Sequence, residues 1–182
     1  MRSSLVRAAL RVALLLPLCL GLAHAAPAHV HGQGNLEIAL DGAQLSLHLE
    51  SPLHDLIGFE RAPRNAAEQQ KVRDMAARLR AADRLFLPTA AAGCTLQSVS
   101  LVSAVLDPAL LGEAGKAGGD SDGHADLDAD FSFRCDKPEV LQGLKVALFG
   151  QFPGLHRLQA SFAGPRGQKA ARLDAANPEL RW

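Results

Sequence analysis

The sequence predicts an α+β fold: a mostly antiparallel sheet of six to seven strands that opens with a hairpin, one long helix packed on it, and one disulfide. Three observations carry this. Apolar residues alternate with polar ones in Leu36-Glu37-Ile38-Ala39-Leu40 and in Leu45-Ser46-Leu47-His48-Leu49, the period of a strand with one buried face. A single segment between Asn65 and Arg84 carries apolar residues every three or four positions, the period of an amphipathic helix. The remaining apolar runs are short and separated by Gly, Pro and Asp, so neighbouring strands are joined by turns and pair antiparallel.

The elements follow in chain order. Asp41-Gly42 between the first two alternating runs is a hairpin signal. Ser51-Pro52 ends the second strand, and Leu53 to Phe59 reads as a short helical turn. Asn65 caps a helix running to about Arg84, with Val72, Met75, Ala76 and Leu79 inward and Glu68 placed for a capping box. Cys94 to Leu106 reads as a strand broken by Asp107-Pro108. Glu113 to Asp130, rich in Gly and Asp, reads as a flexible acidic loop. Phe131, Phe133 and Cys135 alternate in the next strand, Leu144 to Phe149 forms another, and Leu155, Leu158, Ala160 and Phe162 a further, irregular one. Gly164-Pro165-Arg166-Gly167 turns into Gln168 to Leu173, a last edge strand. No internal repeat is visible.

Composition bounds the function classes. With 48% apolar and 21% charged residues, the chain is neither collagenous, disordered nor a multi-pass membrane protein. Nineteen Lys+Arg balance nineteen Asp+Glu, which leaves no basic surplus to neutralise a phosphate backbone and argues against nucleic acid. Arg2, Arg7 and Arg11 precede an apolar stretch from Val12 to Leu22, then Ala23-His24-Ala25. This is the pattern of a secretory signal peptide over 1–25, and its apolar run is too short to span a bilayer. A lipoprotein signal at Cys19 would need a small residue before the cysteine, where Leu18 stands. The expected product, 26–182, is one domain, exported across the inner membrane and not membrane-embedded. Two cysteines remain in it, Cys94 and Cys135. An oxidising compartment pairs them most simply, contributing roughly 4 kcal/mol at most; two free thiols or a metal-thiolate pair are the alternatives.

The catalytic motifs are absent. There is no His-Glu-x-x-His and no Gly-x-Ser-x-Gly. Gly32 and Gly34 begin a dinucleotide fingerprint, but Glu37 stands where its third glycine belongs. No P-loop appears, so the chain does not read as an enzyme. What remains is histidine. His29-Val30-His31 places two imidazoles on one side of an extended segment, where both can meet one ion. His124 sits among Asp120, Asp122, Asp126 and Asp128 and can hold a cation transiently. His48 and His156 read as partly exposed sheet residues.

Several segments together resemble a family: His29-Val30-His31-Gly32-Gln33-Gly34-Asn35-Leu36, Ser51-Pro52-Leu53-His54-Asp55-Leu56-Ile57-Gly58-Phe59-Glu60-Arg61-Ala62-Pro63, Cys94, Phe131-Ser132-Phe133-Arg134-Cys135, and Leu148-Phe149 before Phe152-Pro153. They are similar to the ZrgA-type periplasmic zinc-uptake proteins of Gram-negative bacteria, over essentially the whole exported chain. The resemblance implies a periplasmic zinc-binding accessory of a zinc importer, with Zn2+ as its ion. By position it implies His29, His31 and His54 as recurrent histidines and Glu60 as the acid of a Gly-Phe-Glu motif. One departure stands out: family members often carry a His/Asp-rich run between the cysteines, and here that region keeps only His124. The competing expectation is a metal-free interaction or adaptor module whose histidines are incidental.

Overall fold

The alternating segments become strands where their patterns mark them. The computed structural model describes residues 30–115 and 125–182. The leader, His29, His124 and the centre of the acidic stretch lie outside the described residues. β1 (Gln33–Asp41) and β2 (Gln44–Pro52) form the expected hairpin, from Asp41↔Gln44 to Asn35↔Glu50. Gly42 takes the turn with φ 54°, a backbone state that costs glycine nothing and most residues dearly.

β5 (Asp126–Cys135) pairs with β2, and β4 (Cys94–Val102) with β5, both antiparallel. On the other side, β7 (Arg157–Gly164) lies parallel to β1 and forms a hairpin with β8 (Gly167–Leu173). The main sheet therefore runs β4-β5-β2-β1-β7-β8. A second sheet of three short strands, ordered β3-β6-β9, joins Phe86–Pro88 (β3), Gly143–Val146 (β6) and Glu179–Arg181 (β9). The fold is α+β and mostly antiparallel, as the sequence predicts. Cys94 and Cys135 stand opposite each other in the β4–β5 register and are bonded.

One face of the main sheet is buried. Leu36, Ile38, Leu45, Leu47, Leu49, Phe131 and Phe133 share a core with Val72, Met75, Ala76 and Leu79 of the long helix α2 (Ala66–Arg80) and with Phe86, Leu144 and Val146 of the small sheet. Phe86 and Phe131 pack with ring centroids 4.8 Å apart. The other face, carrying Glu37, His48, Asp128 and Asp130, is left to solvent, which is why its strands alternate so cleanly.

Several boundaries differ from the sequence reading. The long helix stops at Arg80, because Ala81 leaves the helical region at ψ 47° and Ala82–Arg84 tightens into a 3-10 turn that buries Ala82. Asn65 does cap it, accepting from Glu68 N at 2.9 Å. The Glu68 carboxylate, however, turns back to Arg64 N and to the Arg61 guanidinium rather than closing a capping box on Asn65. β4 ends at Val102, ahead of the short helix α3 (Pro108–Leu111), which Asp107 caps. β6 ends at Val146, and Leu148–Gln151 is a helical turn (α4). The edge strand β8 is not the last strand; β9 follows it.

The acidic stretch is also narrower than 113–130. Glu113 is tied down by Arg80 at 2.6 Å and by the Leu101 backbone N–H at 2.9 Å, while Asp126–Asp130 is paired strand. The alternation Leu127, Ala129, Phe131 was present in the sequence, but the aspartates between them resembled loop composition.

Candidate functional site

Three segments meet at the start of β1. The first is the turn over 30–33. Gln33 N–H donates to Val30 O at 3.1 Å, and Gly32 sits at φ 81°. The carbonyl of Gly32 accepts from the backbone N–H groups of His156 and Arg157, at 3.0 and 2.9 Å. Its N–H donates to Asp55 Oδ2 at 2.7 Å. The φ favours glycine, and a Cβ at position 32 would also lie 2.9 Å from His156 Nδ1 and have to displace that exposed ring.

The second segment is α1 (Leu53–Ile57), a single turn closed by Gly58 at φ 86°. Leu53 and Ile57 anchor it in the core, which turns Asp55 inward, 3% exposed, and leaves the His54 imidazole half exposed. The turn over 153–154 lies on α1 so closely that a Cβ on Gly154 would come within 2.5 Å of Asp55 O.

The third segment, 58–64, is fastened to the start of α2. Arg61 donates twice to Glu68, at 2.7 and 2.9 Å, and Arg64 N–H donates to the same carboxylate at 2.7 Å. These bonds hold the Glu68 carboxyl at a pKa of about 2, well below its ordinary value; the Arg61 hydrogen bond is the largest cause and the Arg64 N–H the next. Glu60, next to Arg61, reaches His31 from this anchored segment.

The outcome is a cluster of His31, His54 and Glu60. The His31 and His54 rings stack with centroids 4.4 Å apart and planes 10° from parallel. His31 Nε2 and Glu60 Oε1 are 2.8 Å apart. His54 Nδ1 is 3.7 Å from Asp55 Oδ1. All three members of the cluster are partly exposed, and His54 also lines a cleft of about 370 Å³ that runs past Gly58, Lys71 and Arg78 to Gly154. Two imidazoles and a carboxylate form a nitrogen and oxygen donor set of the kind zinc accepts. Among the described residues, no group of three or more His, Cys, Asp or Glu side chains is arranged to hold a metal ion as it stands.

A family model for the ZrgA family zinc uptake protein matches residues 28–182. The chain belongs to the ZrgA family. No curated protein matches it. The family is described by zinc uptake rather than by a class of catalysis. The matched span covers every element of the fold and all three members of the cluster.

Of the five metal-site residues the sequence singles out, the structure brings together His31, His54 and Glu60, while His29 and His124 lie outside the described residues. Two neighbours of the cluster escaped the sequence reading. Asp55 looked like one polar interruption in an apolar turn, and nothing in its spacing marked it as the buried acceptor for Gly32. His156 is exposed but lies just ahead of β7 rather than in the sheet as expected, and its backbone and ring lie against Gly32 only because β7 runs parallel to β1. The sole sequence signal was the cluster of turn residues at 152–154, which says where the chain bends and not what it bends toward. His48 lies elsewhere, on the solvent-facing side of the main sheet, 2.8 Å from Asp130.

Proposed function

We propose that the protein is an exported, periplasmic zinc-binding accessory of a zinc importer, not an enzyme, and that it carries one zinc ion at the start of β1. His31 and His54 supply imidazole nitrogens, as does His29, two positions before His31, and Glu60 or water takes the exchangeable fourth position. His124 is a transient cation contact. The observation that carries this reading is the meeting of His31, His54 and Glu60 from three separate segments. Zinc would bind His31 Nε2 in the tautomer that carries its proton on Nδ1, and the 2.8 Å separation from Glu60 need open only to about 3.4 Å for two zinc bonds at the tetrahedral angle. A half-exposed site with an exchangeable position can also release its ion to a transporter.

The export pattern and the Cys94–Cys135 disulfide support a periplasmic setting. Among the described residues no helix is long and apolar enough to cross a membrane. The competing reading, a metal-free adaptor module, draws on the lack of a ready three-donor group among the described residues.

Calorimetric zinc titration of tag-free, metal-stripped protein separates the two. The expected result is a tight site at pH 7.5 that weakens sharply at pH 5.5, since histidine must be neutral to bind and its ordinary pKa is about 6.5. His31→Ala with His54→Ala should abolish it. No heat of tight binding in the parent, or an unchanged tight site in the double variant, would discard the proposal.

A further inference from the structure

The solvent-facing side of the main sheet holds a second histidine among carboxylates. His48 on β2 stands directly opposite Asp130 on β5 and Glu37 on β1. One register step away, Glu50 on β2 stands opposite Asp128 on β5. Residues two apart on a strand point to one face, so all five side chains share it. A depression of about 590 Å³ lies over Glu37, His48 and Asp130; among the described residues that line it, Lys169, on the edge strand, is the one Lys or Arg.

The imidazole is held in a particular way. His48 Nδ1 is 2.8 Å from Asp130 Oδ1, a hydrogen bond, whereas His48 Nε2 is 3.8 Å from Asp128 Oδ1, too far for one. Metal-bound histidines characteristically donate their second ring N–H to a carboxylate, which fixes the tautomer and turns the other nitrogen's lone pair toward the ion. Two zinc bonds, one to nitrogen and one to carboxylate oxygen, span about 3.4 Å at the tetrahedral angle and up to about 4.2 Å in line. The 3.8 Å gap falls inside that range. Glu50 accepts from Asn35 Nδ2 at 3.0 Å and would have to leave this surface hydrogen bond to serve as a third ligand.

We propose that the main sheet carries a second divalent-cation site on its solvent-facing side, in which His48 Nε2, Asp128 and Glu50 hold a zinc ion and Asp130 orients the imidazole. This site uses none of the residues at the start of β1 and does not depend on that assignment. With two carboxylates for one imidazole and open solvent above, it is the weaker of the two, suited to collecting ions at higher concentration.

The test is zinc titration followed by the imidazole resonances of each histidine in the full exported chain. The His48 ring signals should shift in the parent and equally in His31→Ala with His54→Ala, at higher zinc concentration than the His31 signals. In Asp128→Asn with Glu50→Gln, whose neutral side chains keep the shape of the face, the His48 shift should be lost while the His31 shift persists. The backbone amide spectrum of that variant should match the parent's and so report an intact sheet. His48 signals that ignore millimolar zinc in the parent, or that still shift in the folded Asp128→Asn/Glu50→Gln variant, would overturn the proposal. Loss of the His31 response alone would count only against the site at the start of β1.

Discussion

Asp55 links the core to the candidate zinc site, and its removal should be felt in both. The side chain is buried, and its Oδ2 accepts the Gly32 N–H at 2.7 Å. Asp55→Ala deletes that acceptor and leaves a buried backbone donor unpaired, a loss of roughly 1–3 kcal/mol. For a domain of this size, each kcal/mol moves the melting temperature by about 2–4 °C, so a central loss of about 2 kcal/mol predicts a fall of about 4–8 °C. Asp55→Asn keeps an oxygen in place and should fall by roughly half as much. The second consequence is on binding. Without this bond the Gly32 N–H no longer pins the turn that carries His31, and re-ordering a residue costs about 1–2 kcal/mol, so zinc should bind about five- to thirtyfold more weakly although Asp55 is no ligand. Scanning calorimetry of the metal-free protein reads the first effect and zinc calorimetry the second. A metal-free Asp55→Ala protein melting within about 1 °C of its parent would refute the reasoning, because a buried N–H cannot lose its acceptor at no cost.

Three further outcomes are expected. Unreduced protein treated with a thiol reagent should show no modified cysteine by mass; reduction opens a closure of 41 positions worth roughly 4 kcal/mol, so the reduced protein should melt about 8–16 °C lower. Glu68, with a folded pKa of about 2 against 4.5 unperturbed, should titrate anomalously low by carbon NMR. Its contribution to stability is then complete above pH 4.5 and lost as the pH falls toward 2, so Glu68→Gln should narrow its stability deficit against the parent over that window. Glu113→Ala removes the acceptor for both Arg80 and the Leu101 N–H and should cost roughly 1–2 kcal/mol by denaturant titration, whereas a flexible residue 113 would give no change.

Much of this protein is written locally. Leu36, Ile38 and Leu40 against Leu45, Leu47 and Leu49 determine a hairpin through a period of two, and Asp41-Gly42 determines where it turns. Val72, Met75, Ala76 and Leu79 determine the inner stripe of α2, and Asn65 its start. Each is a matter of neighbours a few positions apart, where side-chain direction follows from backbone geometry alone. Tertiary structure decided what happens over longer distances. β1 takes β7 as a parallel neighbour from more than a hundred residues away, and only that pairing sets His156 against Gly32. β3 and β9 are too short to announce themselves; β6 is legible as a strand, but its pairing with those two is set by the core beneath them. Asp126, Asp128 and Asp130 have loop composition yet form a strand, since Leu127, Ala129 and Phe131 face the core and the aspartates need only face water. The candidate site follows the same division. His31, His54 and Glu60 are legible singly, as a spacing and a motif. Their meeting depends on a buried carboxylate, two close-packed glycines and an ion pair at a helix start, and these act through space, where sequence distance carries no information.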